Sequence, residues 1–221
     1  MLEPSRFRGV YLSRGNLYTR RLAGGSVYGE KIVEIKGELY REWNPWRSKL
    51  AAAIKNGLKE LPIERDSRVL YLGAASGTTA SHVSDLCPDG MVFCVEISPR
   101  AFRDLLGVCR ERPNMFPLEA DARHPMSYMA VVGAVDFIYQ DIAQRDQDKV
   151  FMANAEMLLR RGGRALLMLK ARSVSSSERP EETFRRVLAS LEASPSVKVT
   201  EKIRLEPYHR DHLALGIQWK G

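Results

Sequence analysis

With 221 residues, 44% of them hydrophobic and 28% charged, the chain has the composition of a globular protein with a substantial core, and its net charge is +7. No apolar run approaches a membrane span, and Arg6, Arg8, Arg14, Arg20 and Arg21 break the first thirty residues, so neither a membrane anchor nor a secretory signal is expected. Cys87, Cys94 and Cys109 lack metal or disulfide spacing, which suits reduced core thiols and a cytoplasmic location.

The basic surplus is local: residues 1–60 hold 12 Lys and Arg against 6 Asp and Glu, leaving 22 against 21 for the remainder. Such a surplus favours polyanions through counterion release, and aromatics from Tyr11 to Trp46 are interleaved with it. A solvated basic sheet is the plainer alternative.

In chain order, short strands are predicted at Gly9–Leu12, Asn16–Thr19, Lys31–Ile35 and Glu38–Arg41, joined by glycine-containing turns. Leu50, Ala53, Ile54 and Leu58 recur at helical spacing and predict a helix from Ser48 to Leu61, stopped by Pro62. From Arg68 strands alternate with helices: strands at 69–72, 91–97, 115–118, 135–141 and 164–171, helices near 78–87, 100–111, 146–160 and 181–193. That alternation predicts an α/β fold with a doubly wound, mostly parallel sheet. Two β-rich runs, 197–205 and 212–219, predict a terminal hairpin at its edge. Residues 1–55 are expected to form a small antiparallel β subdomain with a linking helix, and residues 56–221 the main domain.

The first strand of the main domain ends in a small-residue turn, Tyr71-Leu-Gly-Ala-Ala-Ser-Gly-Thr-Thr79. Loops at such strand ends are where open α/β sheets bind ligands. A dinucleotide loop would need Gly-x-Gly-x-x-Gly, and a P-loop would need Gly-Lys-Ser/Thr; the segment has neither. What remains is a nucleoside without phosphates, S-adenosylmethionine, or a bare strand-to-helix turn. Glu96, nineteen residues beyond Gly77, ends the second strand where a carboxylate would grip a ribose diol, unless it is only a solvated strand-end residue. Asp121, Asp141 and Lys170 also end or follow strands, so a parallel sheet would collect all four on one side. His209 and His212 are three apart, which on an edge strand puts them on different faces, so no metal site is expected. His82 is expected on a helix surface and His124 in a loop.

The segments Tyr40-Arg-Glu-Trp-Asn-Pro-Trp-Arg-Ser-Lys-Leu-Ala-Ala-Ala-Ile54, Tyr71–Thr79, Ala120-Asp-Ala-Arg-His-Pro125, Tyr139-Gln-Asp-Ile-Ala-Gln144 and Pro207-Tyr-His-Arg-Asp-His212 together resemble the fibrillarin family, over nearly the whole chain. Without a glycine- and arginine-rich tail, the resemblance is to the shorter archaeal type. It implies a Rossmann-like class I methyltransferase fold and an S-adenosylmethionine-dependent RNA 2′-O-methyltransferase. The expected substrates are pre-ribosomal RNA and transfer RNA, modified within a box C/D guide ribonucleoprotein. It further implies that Gly73, Ala75, Gly77, Thr78 and Thr79 surround the methionine end, that Glu96 takes the ribose hydroxyls, and that Asp121 and Ala122 meet the adenine edge. Asp141 and Gln144 are implied near the reacting centre, and Lys49, Asp141, Lys170 and His212 as the catalytic set. Ile97 stands where the family usually has an aromatic residue, which predicts an aliphatic wall for adenine. The implied partners are a guide RNA, a Nop-domain scaffold protein and a kink-turn-binding ribosomal-type protein.

Methyl transfer from a sulfonium to a ribose oxygen needs orientation and removal of the hydroxyl proton, but no metal. A lysine serves as base only in its neutral form, which like charge and desolvation favour. Lys49 is therefore expected to supply like charge to Lys170, with Asp141 orienting the amine. A methyltransferase acting on a small molecule or a protein, and a non-catalytic subunit on the same fold, are the other readings. The former gives no reason for the basic N-terminal surplus or for Lys49 and Lys170 together, and the presence of Asp141, Lys170 and His212 speaks against the latter.

Overall fold

The computed structural model describes residues 2–221. Strands β1 (Glu3–Pro4), β2 (Val10–Ser13), β3 (Asn16–Arg20), β4 (Ile32–Ile35) and β5 (Glu38–Trp43) form an antiparallel sheet in the order β1-β2-β3-β5-β4. Helix α1 (Lys49–Lys55) follows. It is shorter than periodicity alone predicts, because Gly57 takes a left-handed φ of +97° and closes a Schellman turn: its N–H reaches Ile54 O and that of Leu58 reaches Ala53 O.

The second sheet is built from β6 (Arg68–Leu72), β7 (Met91–Glu96), β8 (Met115–Glu119), β9 (Val135–Gln140) and β10 (Leu159–Lys170), with β11 (Val197–Arg204) and β12 (His212–Trp219) at one side. Helices α2 (Thr78–Leu86), α3 (Pro99–Arg110), α4 (Met129–Val132), α5 (Gln147–Leu158), α6 (Ala171–Val174) and α7 (Pro180–Glu192) connect them, with a 3₁₀ turn at Pro125–Ser127. The strand order is β11-β12-β10-β9-β6-β7-β8, parallel from β10 to β8 and antiparallel at β11 and β12. This is the doubly wound arrangement expected, with the strand order reversing between β6 and β9. No helix among the described residues is long and apolar enough to cross a membrane.

The continuous apolar run of β6 has a simple cause, since the strand is covered on both faces. Val69 and Tyr71 pack with the small sheet, α1 and α2, while Leu70 and Leu72 pack with α5 and α7. One core is therefore shared between the small sheet and the first face of the large one.

Between them lies a buried polar cluster. Arg41, fully buried on β5, donates to Glu30 Oε1 at 2.7 Å, Asp85 Oδ2 at 2.9 Å and Ser81 Oγ at 2.9 Å. Asp85 also accepts from Arg112 Nη1 at 2.7 Å and from the Thr19 hydroxyl at 2.7 Å. His82 is in this cluster rather than on a helix surface: it is fully buried, stacks on Trp43 at 4.9 Å and contacts the Thr19 and Tyr28 hydroxyls. The small sheet covers the polar face of α2, so a pattern that reads as exposed is an interface. Burial holds its imidazole well below the ordinary range, and the Arg41 and Arg112 charges add to that effect, so the ring is neutral.

Burial alone would raise the Glu30 carboxyl, but the Tyr28 amide and the Arg41 charge outweigh it and bring it from 4.5 to about 2. A depressed carboxyl contributes stability that is complete above pH 4.5 and lost as the pH falls towards 2. Glu30→Gln should therefore cost about 3 kcal/mol at pH 7, since each tenfold change in proton affinity on folding corresponds to ~1.4 kcal/mol. In urea unfolding followed by circular dichroism, the gap between variant and unsubstituted protein should close as the pH falls below 4.5. A gap independent of pH would show that the carboxylate charge is not its source.

Candidate active site

At the carboxyl end of β6 the chain turns at Gly73, whose N–H donates to Val95 O at 2.9 Å. Its φ is +81°, and a Cβ built there would lie 2.4 Å from Asp141 O, so only glycine lets these two strand ends approach. Ala75, also left-handed at φ +48°, donates its N–H to Glu96 Oε2 at 2.8 Å. Glu96 Oε1 accepts the Ser98 N–H at 2.8 Å. Each oxygen of the carboxylate is thereby fixed by one amide and retains a lone pair for a further donor.

A cavity of about 290 Å³ opens at this edge, in the crevice where the strand order reverses. Gly73, Ala75, Glu96, Ile97, Ala122, Asp141 and Gln144 line it, all residues the sequence nominates for a cofactor. Other nominees lie outside this wall. Gly77 caps α2 at φ +87° and Thr78 is its first residue, while Thr79 is buried with its hydroxyl on Ser48 Oγ at 3.0 Å. Asp121 accepts the Arg123 N–H at 2.9 Å. The wall also includes Val95, Ala120, Ile142 and Ala143, apolar residues that no sequence signal distinguishes from ordinary core.

Two observations fit a nucleoside bearing an amino-acid arm. Gln144 Oε1 is buried without a hydrogen-bond partner among the described residues, an acceptor that an ammonium donor would satisfy. Glu96 offers its remaining lone pairs to vicinal hydroxyls. The apolar wall of Ile97, Ala120 and Ala122 suits a flat ring, with Ile97 52% exposed as its open edge.

Lys49, the first residue of α1, donates to both Asp141 carboxylate oxygens at 2.7 Å. Ser48 sets that position, because its side chain caps α1 while accepting from Trp43 Nε1 at 2.9 Å and from Thr79. This corrects one expectation about the charges. Asp141 holds Lys49 rather than orienting Lys170, so Lys49 presents a neutralised pair and not a free like charge.

Lys170 ends β10 opposite His212, its register partner on β12. Its amine makes no hydrogen bond or ion pair with the described residues, whereas its backbone N–H reaches Gln147 Oε1 at 3.3 Å. His212 Nδ1 lies 2.6 Å from Arg210 O. A carbonyl can only accept, so Nδ1 carries the proton and Nε2 is left as an acceptor. Burial lowers the His212 imidazole and the Lys49 charge adds to this, against the Arg210 carbonyl, so the ring is neutral at pH 7.

His209, unassigned by the sequence, donates from Nε2 to Pro45 O at 2.9 Å and sits edge-on to His212 at 5.8 Å. The expected separation of these histidines fails because His209 lies in the loop before β12, not on the strand. Among the described residues no group of three or more His, Cys, Asp or Glu side chains is arranged to hold a metal ion.

A doubly wound sheet with a crevice at its reversal point, lined by the Gly73–Ala75 turn and Glu96, and an ion pair at its rim defines a Rossmann-like fold of the class I methyltransferase type. The particular family follows from comparison: the fibrillarin family model matches residues 2–221, and the chain belongs to the fibrillarin family. It is 48% identical over 208 residues to the fibrillarin-like rRNA/tRNA 2′-O-methyltransferase of Methanothermobacter thermautotrophicus, covering 94% of this chain and 92% of that one. Among solved structures, Aeropyrum pernix fibrillarin with natively bound S-adenosyl-L-methionine superposes with a TM-score of 0.90 at 44% identity, covering 98% and 97% of the two chains. The fibrillarin of a fibrillarin/Nop5p complex gives 0.91 at 45% identity, covering 99% and 100%.

Gly73→Ala should force the 73 and 141 strand ends apart. Thermal denaturation should show a loss of about 1–3 kcal/mol, the cost of a left-handed alanine plus a backbone clash. A melting temperature equal to that of the unsubstituted protein would mean that this contact does not shape the crevice.

Proposed function

We propose that this chain is an S-adenosylmethionine-dependent RNA 2′-O-methyltransferase that acts on pre-ribosomal RNA and on transfer RNA as the catalytic subunit of a box C/D guide ribonucleoprotein. The observation that carries the reading is the link between crevice and rim: Asp141 lines the cofactor cavity and also grips Lys49, and both charges act on His212, the register partner of Lys170. The named activity of the Methanothermobacter relative and the cofactor of the Aeropyrum structure support it.

S-adenosylmethionine, when bound, supplies a methyl group already activated by the sulfonium charge. Glu96 would hold the ribose hydroxyls, Ile97 with Ala122 the adenine, and Gln144 with the Gly73–Ala75 turn the amino-acid arm. Gly77, Thr78 and Thr79 form the helix start behind that turn, and Asp121 stands at the adenine end.

On the acceptor side, the 2′-hydroxyl is a poor nucleophile while it keeps its proton. Lys170, with an amine free of protein partners, takes that proton in its neutral form or, as an ammonium, donates to the hydroxyl oxygen and orients it. Lys49, fixed by Asp141 through two of its three N–H donors, would offer the third to the neighbouring phosphate or ribose. His212 offers Nε2 to a ribose hydroxyl, since Nδ1 is committed to Arg210. Orientation by four side chains from separate elements is the main rate contribution available without a metal.

The fibrillarin/Nop5p complex supports a Nop-domain scaffold as partner. Guide RNA and a kink-turn-binding protein complete the proposed particle, with the guide selecting the nucleotide by pairing. We further propose a cytoplasmic location, consistent with its three free, buried cysteines. Residues 1–55 would act as an acceptor-side subdomain that delivers Lys49 to the methyltransferase domain at 56–221.

Tritiated methyl transfer to a guide-matched RNA tests the reading, with a 2′-deoxy target as control. Incorporation is expected only in the assembled mixture and only with the 2′-hydroxyl present; equal labelling of the deoxy target would overturn it. Lys170→Ala should lower single-turnover transfer by at least about a hundredfold. Cofactor binding by calorimetry should stay within about twofold, because Lys170 lies outside the crevice wall. Transfer at the unsubstituted rate would remove Lys170 from the catalytic set.

A further inference from the structure

Gln147, the first residue of α5, is 1% exposed, and its side chain bridges the cofactor crevice and Lys170. Its Oε1 accepts the Lys170 N–H at 3.3 Å, while its Nε2 donates to Gln144 O at 2.8 Å and to Lys170 O at 3.5 Å. Only one orientation of the amide permits this. The reverse would set an NH2 group against the Lys170 N–H and an oxygen against two carbonyls.

The strand register explains why Lys170 needs such a partner. β9 ends at Gln140, whose register partner on β10 is Leu167, three residues short of Lys170. On the other side β12 still pairs, and the Ala171 N–H reaches Asp211 O at 3.1 Å. Successive strand residues direct their peptide groups to opposite sides, so the N–H and C=O of Lys170 face the side where β9 has ended. The Gln147 amide stands there in place of a strand residue. Anchoring α5 is a separate matter, met by the Gln140 side chain, whose Nε2 donates to Gln147 O at 2.7 Å.

The second hydrogen of the same amide leads to the crevice. Gln144 lines that cavity, and its own Oε1 is buried without a partner among the described residues. A donor seated on Gln144 Oε1 would fix this residue, and the Gln144 carbonyl is held by the amide that holds Lys170. Methyl transfer depends on the alignment of donor and acceptor, so a side chain that spans both has leverage on the rate.

We propose that Gln147 is a positioning residue that ties the Gln144 wall of the cofactor crevice to the backbone of Lys170, so that a seated cofactor fixes where the lysine amine meets the 2′-hydroxyl. The proposal rests on the RNA-methyltransferase reading and deepens it, linking the donor side to the acceptor side through a residue outside the catalytic set.

Two measurements test it. In the full chain carrying isotope-labelled lysine, the backbone amide resonance of Lys170, identified by its loss in Lys170→Arg, should shift when S-adenosylhomocysteine is added. Gln147→Met keeps the side-chain volume and removes the amide; it should abolish most of that shift while ligand affinity stays within about twofold. In the assembled ribonucleoprotein, Gln147→Met should lower single-turnover transfer at least about tenfold, with KM for RNA unchanged. Added to Lys170→Ala, it should lower the rate by less than about a further twofold, because nothing is left to position. A Lys170 shift that is absent from the unsubstituted protein, or equal in Gln147→Met, would overturn the link. So would transfer by Gln147→Met at the unsubstituted rate, or losses that multiply in the double variant. Absent transfer by the unsubstituted assembly would instead overturn the activity reading, since the amide shift needs no turnover.

Discussion

The buried ion cluster around Arg41 is the constraint on which the site depends. Arg41 comes from the small sheet, Asp85 from α2 and Arg112 from the segment after α3, and all three are within 2% of complete side-chain burial. Charges removed from water this completely are tolerable only when paired, so the cluster permits one docking of the small sheet on α2. Surface ion pairs such as Arg65 with Asp89 impose no comparable demand. Stability and specificity separate here: the apolar core supplies the driving force, and the cluster selects the arrangement.

That arrangement places Ser48 and Lys49. Trp43 ends β5 beside His82, its indole N–H fixes Ser48, and Ser48 caps the helix that begins with Lys49. Asp141 is brought to the same point from the other direction, by the close approach of its carbonyl to Gly73. The Lys49–Asp141 pair therefore closes a circuit between the two sheets. Removing either support would move Lys49 relative to the cofactor crevice, and methyl transfer is sensitive to displacements at its site because it depends on alignment.

The electrostatics of the rim divide into committed and free groups. Lys49 and Asp141 neutralise one another, His209 is committed to Pro45, and His212 is neutral with one nitrogen occupied. Lys170 keeps an uncommitted amine. The cofactor crevice adjoins this rim at Asp141, which lines the cavity while gripping Lys49. Asp141 is the one residue common to both.

The large sheet and its crevice are legible in the order of residues alone. Runs such as Val69–Leu72 are apolar at every position because both faces are covered, and a strand ending in glycine or a carboxylate is a local pattern that needs no partner to be read. Glu96, Asp141 and Lys170 stand out for that reason, and a family resemblance adds Lys49 and His212. Packing in three dimensions was needed to show that His82 is core, that His209 approaches His212, and that Asp141 takes Lys49 rather than Lys170 as its partner. Lys49 and Asp141 are 92 positions apart in the chain. Local periodicity reports which side of an element is covered, but the partner of a charge is set by which distant element docks there, and that is fixed by packing across the two sheets.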